Sequence, residues 1–120
     1  MKIDKVLEQI VQRLREGLQP EQIILFGSYA YGEPGEGSDI DLLIVVSDST
    51  KPAHRRAQDA YRCVGAVGVP KDLVVLTRTE FERQARVPTS LARRAQKKGK
   101  VLYERGEARR NPEMADQKPA

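Results

Sequence analysis

The sequence predicts an α+β fold in which short apolar strands and amphipathic helices share one small domain. Apolar runs of strand length lie at 23–26, 42–46 and 73–76, and residues 3–16 show helical periodicity. A chain of 120 residues, 39% hydrophobic and 32% charged, has room for one modest core.

Taken in order, Ile3, Val6, Leu7, Ile10, Val11 and Leu14 form an i, i+3, i+4, i+7 stripe with charges opposite, which predicts a helix over 3–16. Gly17 is expected to stop it, with Pro20 confirming the break. Residues 22–26 read as strand one and 29–32 as one helical turn. Pro34, Gly35 and Gly37 predict a mobile loop over 33–38. Residues 39–46 form strand two, which is almost wholly apolar past Asp41 and therefore central and covered on both faces. Asp48, Ser49 and Thr50 offer caps for a helix over 52–67, with Ala53, Ala57, Ala60, Tyr61 and Val64 facing inward. Val69-Pro70 leads into strand three, 72–76. Thr79 with Glu82 three residues on has the pattern of a capping box. Pro88 interrupts, Thr89-Ser90 start a helix to Lys98, Gly99 ends it, and 101–103 suit a short edge strand. The folding unit is expected to span 1–105. The polar stretch 106–120 reads as a disordered tail.

Composition narrows the function classes. No apolar run approaches the roughly 20 residues that span a bilayer, and the N-terminus lacks a signal-peptide apolar region, so a cytoplasmic placement is expected. Cys63 is the sole cysteine, which excludes an internal disulfide and a cysteine-based zinc cluster, and it suits a small helix position near the core. His54 lies in a polar stretch beside Arg55 and Arg56, a surface setting. Net charge is +4, with Arg93, Arg94, Lys97, Lys98 and Lys100 clustered. Such a cluster is either a solvated helix face or a surface for a polyanion.

Residues 27–46 carry the chemistry. Strand one stops at Gly27-Ser28, a glycine-rich turn follows, and strand two opens with Asp39 and Asp41. Residues i and i+2 of a strand share a face about 7 Å apart, so the two carboxylates point the same way. Like charges held in a half-dry site repel unless one is protonated or a cation sits between them, and such a pair suits a hard divalent ion. Gly27 permits a sharp turn and close approach to a ligand. Ser28 is expected to cap a short helix whose first N–H groups can take phosphate. Backbone that can bind phosphate, set beside paired acids, implies a nucleoside triphosphate held with magnesium. Asp-x-Asp or Gly-Ser alone would be unremarkable among 17 acidic residues; their order and spacing give the pattern its meaning.

Gly27-Ser28-x-Ala30-x-Gly32 followed by Asp39-Ile-Asp41-Leu-Leu-Ile resembles the signature of the DNA polymerase β-like nucleotidyltransferase superfamily, in particular its minimal nucleotidyltransferase domains. The similarity is sharpest over 23–46 and extends over about 1–104; Tyr31 departs from it, since many relatives carry Arg there. The resemblance implies a small mixed, largely antiparallel sheet flanked by helices. It also implies a third acid on the next core strand as general base or metal ligand, a slot that Asp72 fits. Asp39, Asp41 and Asp72 would then hold two magnesium ions, with Gly27 and Ser28 against the phosphates of ATP or another nucleoside triphosphate. The minimal family pairs with small helical HEPN-domain proteins as antitoxins, in some cases attaching AMP to the partner. The expected reaction is transfer of a nucleoside monophosphate to an acceptor hydroxyl. The second wall of the site would come from such a partner or from a second copy. Other readings are a non-catalytic module that neutralises a helical partner by contact, a small-molecule transferase of the aminoglycoside type, and nucleic-acid binding through Arg93 to Lys100.

Overall fold

The computed structural model describes residues 3–32, 34–35 and 37–106. The elements run α1 (Ile3–Leu18), β1 (Gln22–Phe26), α2 (Ser28–Tyr31), β2 (Ile40–Val46), α3 (Ala53–Val64), β3 (Lys71–Thr77), α4 (Arg78–Ala85), α5 (Leu91–Lys98) and β4 (Lys100–Glu104). The strands form one sheet in the order β3-β2-β1-β4. β1 is antiparallel to both its neighbours, while β2 and β3 are parallel. The mixed, largely antiparallel sheet implied by the resemblance is therefore the one found. Parallel neighbours need a crossover, and α3 provides it.

The alternation of strand side chains sorts the core into two layers. Ile23, Leu25, Leu42, Ile44, Leu73 and Val75 pack with Val6, Ile10 and Leu14 of α1 and Ala60 and Val64 of α3. Ile24, Phe26, Leu43, Val45 and Leu76 pack with Phe81 and Ala85 of α4 and Ala92 and Ala95 of α5. β2 is central and covered on both sides, as its unbroken apolar run predicts.

Gly17 does not stop α1. A Cβ there would meet Cys63 Sγ at 2.3 Å, so this glycine marks the close approach of α1 to α3. The helix ends instead at Gln19, whose φ of 51° breaks the repeat before Pro20. α3 is shorter than expected because Gly65, at φ 66°, ends it. The cap of α4 also lies two residues earlier than the sequence suggests. Thr77 accepts from the Glu80 N–H, and the Glu80 carboxylate accepts from the Thr77 N–H, in place of the Thr79–Glu82 pair. Ser90 caps α5 as expected. Residues 33 and 36 of the glycine-rich loop, and 107–120 of the expected tail, lie outside the described residues. Among the described residues no helix is long and apolar enough to cross a membrane.

Candidate active site

The site lies where β1 ends and where β2 and β3 begin. Asp41 is opposite Phe26 on one side and in parallel register with Asp72 on the other. Strand alternation puts Asp41 on the face of Leu43 and Val45, and Asp72 on that of Val74 and Leu76, which is the α4/α5 face of the sheet. Asp41 is half-buried, and its carboxyl is pushed above the ordinary value by burial first, then by the charges of Asp72 and Asp39. Asp41 thus senses the charges of both other acids. Among the described residues none of them has a cation within ion-pair distance.

Gly27 joins the phosphate-binding half to the acids. Its φ of 76° favours glycine, and a Cβ at this position would lie 2.1 Å from Asp41 Oδ2. The turn therefore presses directly on the carboxylate. Gly27, not Ser28, occupies the N-cap of α2, and no side chain caps this helix. The Gly27 carbonyl accepts from the Ala30 and Tyr31 N–H groups, each at 3.0 Å. Ser28 is thus the first helical residue and contributes through its backbone position. Tyr31, 39% exposed, leaves this short helix without a cation.

Asp72 has one neighbour that the sequence did not reveal. The Tyr61 hydroxyl lies 3.4 Å from Asp72 Oδ1 and 3.5 Å from the Lys71 carbonyl, and it accepts from the Leu73 N–H at 3.0 Å. Tyr61 was expected to face inward. It is 38% exposed and lies over the outer edge of β3 instead, because that edge offers backbone groups for a phenol to bond.

The other end of β3 holds a second arrangement hidden in the sequence. Arg56 is 7% exposed and donates twice to the Glu80 carboxylate, at 2.8 and 2.9 Å, and once each to the Val75 and Lys51 carbonyls. These bonds hold Glu80 below its ordinary carboxylate range, Arg56 contributing most and the Thr77 N–H next. An Arg in a polar run gives no periodic signal, so only the packed fold shows this pair.

Among the described residues no three acidic, His or Cys side chains are gathered into a closed metal cage. A magnesium ion does not need one, since it is commonly bound through one or two carboxylates with substrate phosphates and water completing the octahedron. The all-oxygen donor set, and the like charges beside the partly buried Asp41, fit a divalent cation there. The site is a shelf. A concavity along α1 to Leu102 (Asp4, Leu7, Val11, Arg15) is lined by none of Asp39, Asp41 and Asp72.

A family model described as nucleotidyltransferase domain matches residues 5–102. Among solved structures, the chain is similar to a Sulfolobus solfataricus protein assigned as a nucleotidyltransferase. The two are 23% identical with a TM-score of 0.61 over 84% of this chain and 79% of that one. A toxin-antitoxin crystallised with AMP-PNP is 26% identical with a TM-score of 0.57, over 83% of this chain and 74% of that one. A mutant of the toxin-antitoxin MntA-HpeT, carrying two Asp-to-Glu replacements, is 24% identical with a TM-score of 0.53 over the same shares of 83% and 74%. The two similarities below 25% identity speak for the fold alone. No curated protein matches the chain.

Proposed function

The chain belongs to the nucleotidyltransferase domain family, and on that premise we propose that it transfers a nucleoside monophosphate, AMP from ATP, to a hydroxyl on a small helical toxin of the HEPN type. The observation that carries this reading is the uncompensated acid group beside the Gly27 turn, with Asp41 held above its ordinary value by burial and by its two acidic neighbours. A partly buried Asp41 with two exposed acids beside it costs stability in the apo chain, and a bound cation recovers that cost.

Asp39 and Asp41 would hold magnesium with the triphosphate, and Asp72 would share the metal or take the acceptor proton. Bound magnesium supplies Lewis-acid activation of the attacking hydroxyl and neutralises charge on the leaving group. The Gly27-Ser28 backbone orients the phosphates at the start of α2. The acceptor oxygen forms its bond to the α-phosphorus, the bond from that phosphorus to the bridging oxygen breaks, and pyrophosphate leaves. The hydroxyl proton passes to Asp72. Because the acids stand on an open shelf, the acceptor's own surface supplies the second wall. An antitoxin role for the modification is in keeping with the similar toxin-antitoxin crystallised with AMP-PNP.

The test mixes the native chain, its co-purifying partner, labelled ATP and magnesium. Label on the partner, lost in Asp41→Asn, is the expected result. A tight complex that stays unlabelled would favour neutralisation by contact.

A further inference from the structure

We propose that Tyr61 is a positioning residue that fixes the Asp72 carboxylate at the start of β3, an inference that rests on the transfer reaction proposed above. The argument begins at the edge of β3. Ile40 N–H donates to the Pro70 carbonyl at 2.9 Å, so the alternating ladder to β2 uses the even-numbered residues of β3 and turns the backbone groups of the odd-numbered ones outward. α3 covers that outward row with two side chains. Arg56 takes the Val75 carbonyl, and Tyr61 takes the Leu73 N–H.

A phenol has one proton to donate and lone pairs to accept with. The Leu73 N–H at 3.0 Å uses an accepting site and fixes where the oxygen stands. The proton must then find an acceptor, and the two in reach are Asp72 Oδ1 at 3.4 Å and the Lys71 carbonyl at 3.5 Å. Both contacts are long for a hydrogen bond. A carboxylate is nevertheless the stronger acceptor of the two, because a charged partner roughly doubles the strength of such a bond. Asp72 is exposed, and no cation pairs with it among the described residues. Its rotamer is therefore set by what touches it, and Tyr61 is the side chain in hydrogen-bond reach. Tyr61 joins Asp72 to the backbone of its own strand, so the carboxylate keeps its place while substrate comes and goes. Misplacing a reacting group by about 1 Å can cost on the order of a hundredfold in rate.

Two measurements test this. In label transfer from ATP to the co-purifying partner, Tyr61→Phe should lower kcat about tenfold with KM for ATP held within about twofold, because orientation acts on the reacting state and not on nucleotide binding. An unchanged kcat, or a change confined to KM, overturns the assignment. Asp72→Asn is the reference. If it keeps full transfer, the catalytic reading beneath fails, and if it loses transfer while Tyr61→Phe does not, only the assignment of Tyr61 fails. The second measurement needs no Tyr61 variant. The Tyr61 Cζ carbon resonance should move more between the native chain and Asp72→Asn than those of Tyr29, Tyr31 and Tyr103. A change no larger than theirs shows that the hydroxyl is not bonded to Asp72 and overturns the proposal.

Discussion

At the C-terminal end of β3, Glu80 meets the Arg56 guanidinium through two hydrogen bonds of 2.8 and 2.9 Å, closes the cap of α4, and sits below its ordinary carboxylate range. At the N-terminal end of the same strand, Asp72 faces Asp41 in register with, among the described residues, only a phenol in side-chain hydrogen-bond reach, and Asp41 sits above its ordinary range. Glu21, at the start of β1, sides with Glu80. Burial works against its charge, but the Ser47 hydroxyl and Arg78 hold it low. One sheet thus carries neutralised carboxylates at one end and uncompensated ones at the other. A paired acid contributes to the fold, whereas a repelling group of acids costs stability and is kept for what it binds.

The sharpest way to break that contrast is to remove an acid from one end and the cation that pairs with an acid from the other. Asp72→Asn should lower label transfer by roughly 10²- to 10⁴-fold, the usual contribution of a general base, with a urea midpoint unchanged or raised, since one of the charges that raise Asp41 is gone. Arg56→Met should do the reverse. Leaving Glu80 and the Val75 carbonyl without their partner should cost about 3 kcal/mol, toward the lower end for a broken buried pair because Glu80 remains partly exposed. Urea denaturation reads that loss, and transfer per folded molecule should stay the same. Lost transfer without lost stability would place Arg56 in the mechanism instead.

Gly27→Ala probes the join between turn and acid. The left-handed φ costs about 1–3 kcal/mol, and the added carbon must displace the Asp41 carboxylate. Both stability and transfer should fall, and a variant that loses only one of them separates strain from chemistry. Thr77→Ala should cost about 1 kcal/mol as a lost cap, against little for Thr79→Ala. An equal cost at the two positions would contradict the cap described for α4.

The smallest effect is the pH response. Asp41 binds its proton more tightly folded than unfolded, so between those two values the native state holds more protons and stability falls as pH rises through the window. Glu80 has the opposite sign: its contribution is full above the unfolded carboxylate value and lost as pH falls through the lower folded one. In EDTA, Asp41→Asn should therefore melt at or above the native chain near neutral pH, and magnesium should stabilise the native chain alone. A magnesium shift of equal size in Asp41→Asn would mean the ion binds elsewhere.

The sequence by itself determined the strands, the helices with apolar stripes, and the pairing of a Gly-Ser turn with Asp39 and Asp41, because those features are local: strand alternation and helical period act within a few residues. It also placed Asp72 at the mouth of its strand. Only the tertiary structure decided that β3 lies parallel beside β2, which brings Asp72 into register with Asp41 across 30 intervening positions. It alone showed that Gly17 is a helix contact and not a stop, that Glu80 caps α4 while clamping Arg56, and that Tyr61 reaches over an edge to Asp72. Each of these is a meeting of side chains far apart along the chain. Such meetings leave no period in the sequence, since what fixes them is which backbone groups and charges the packed sheet leaves without partners.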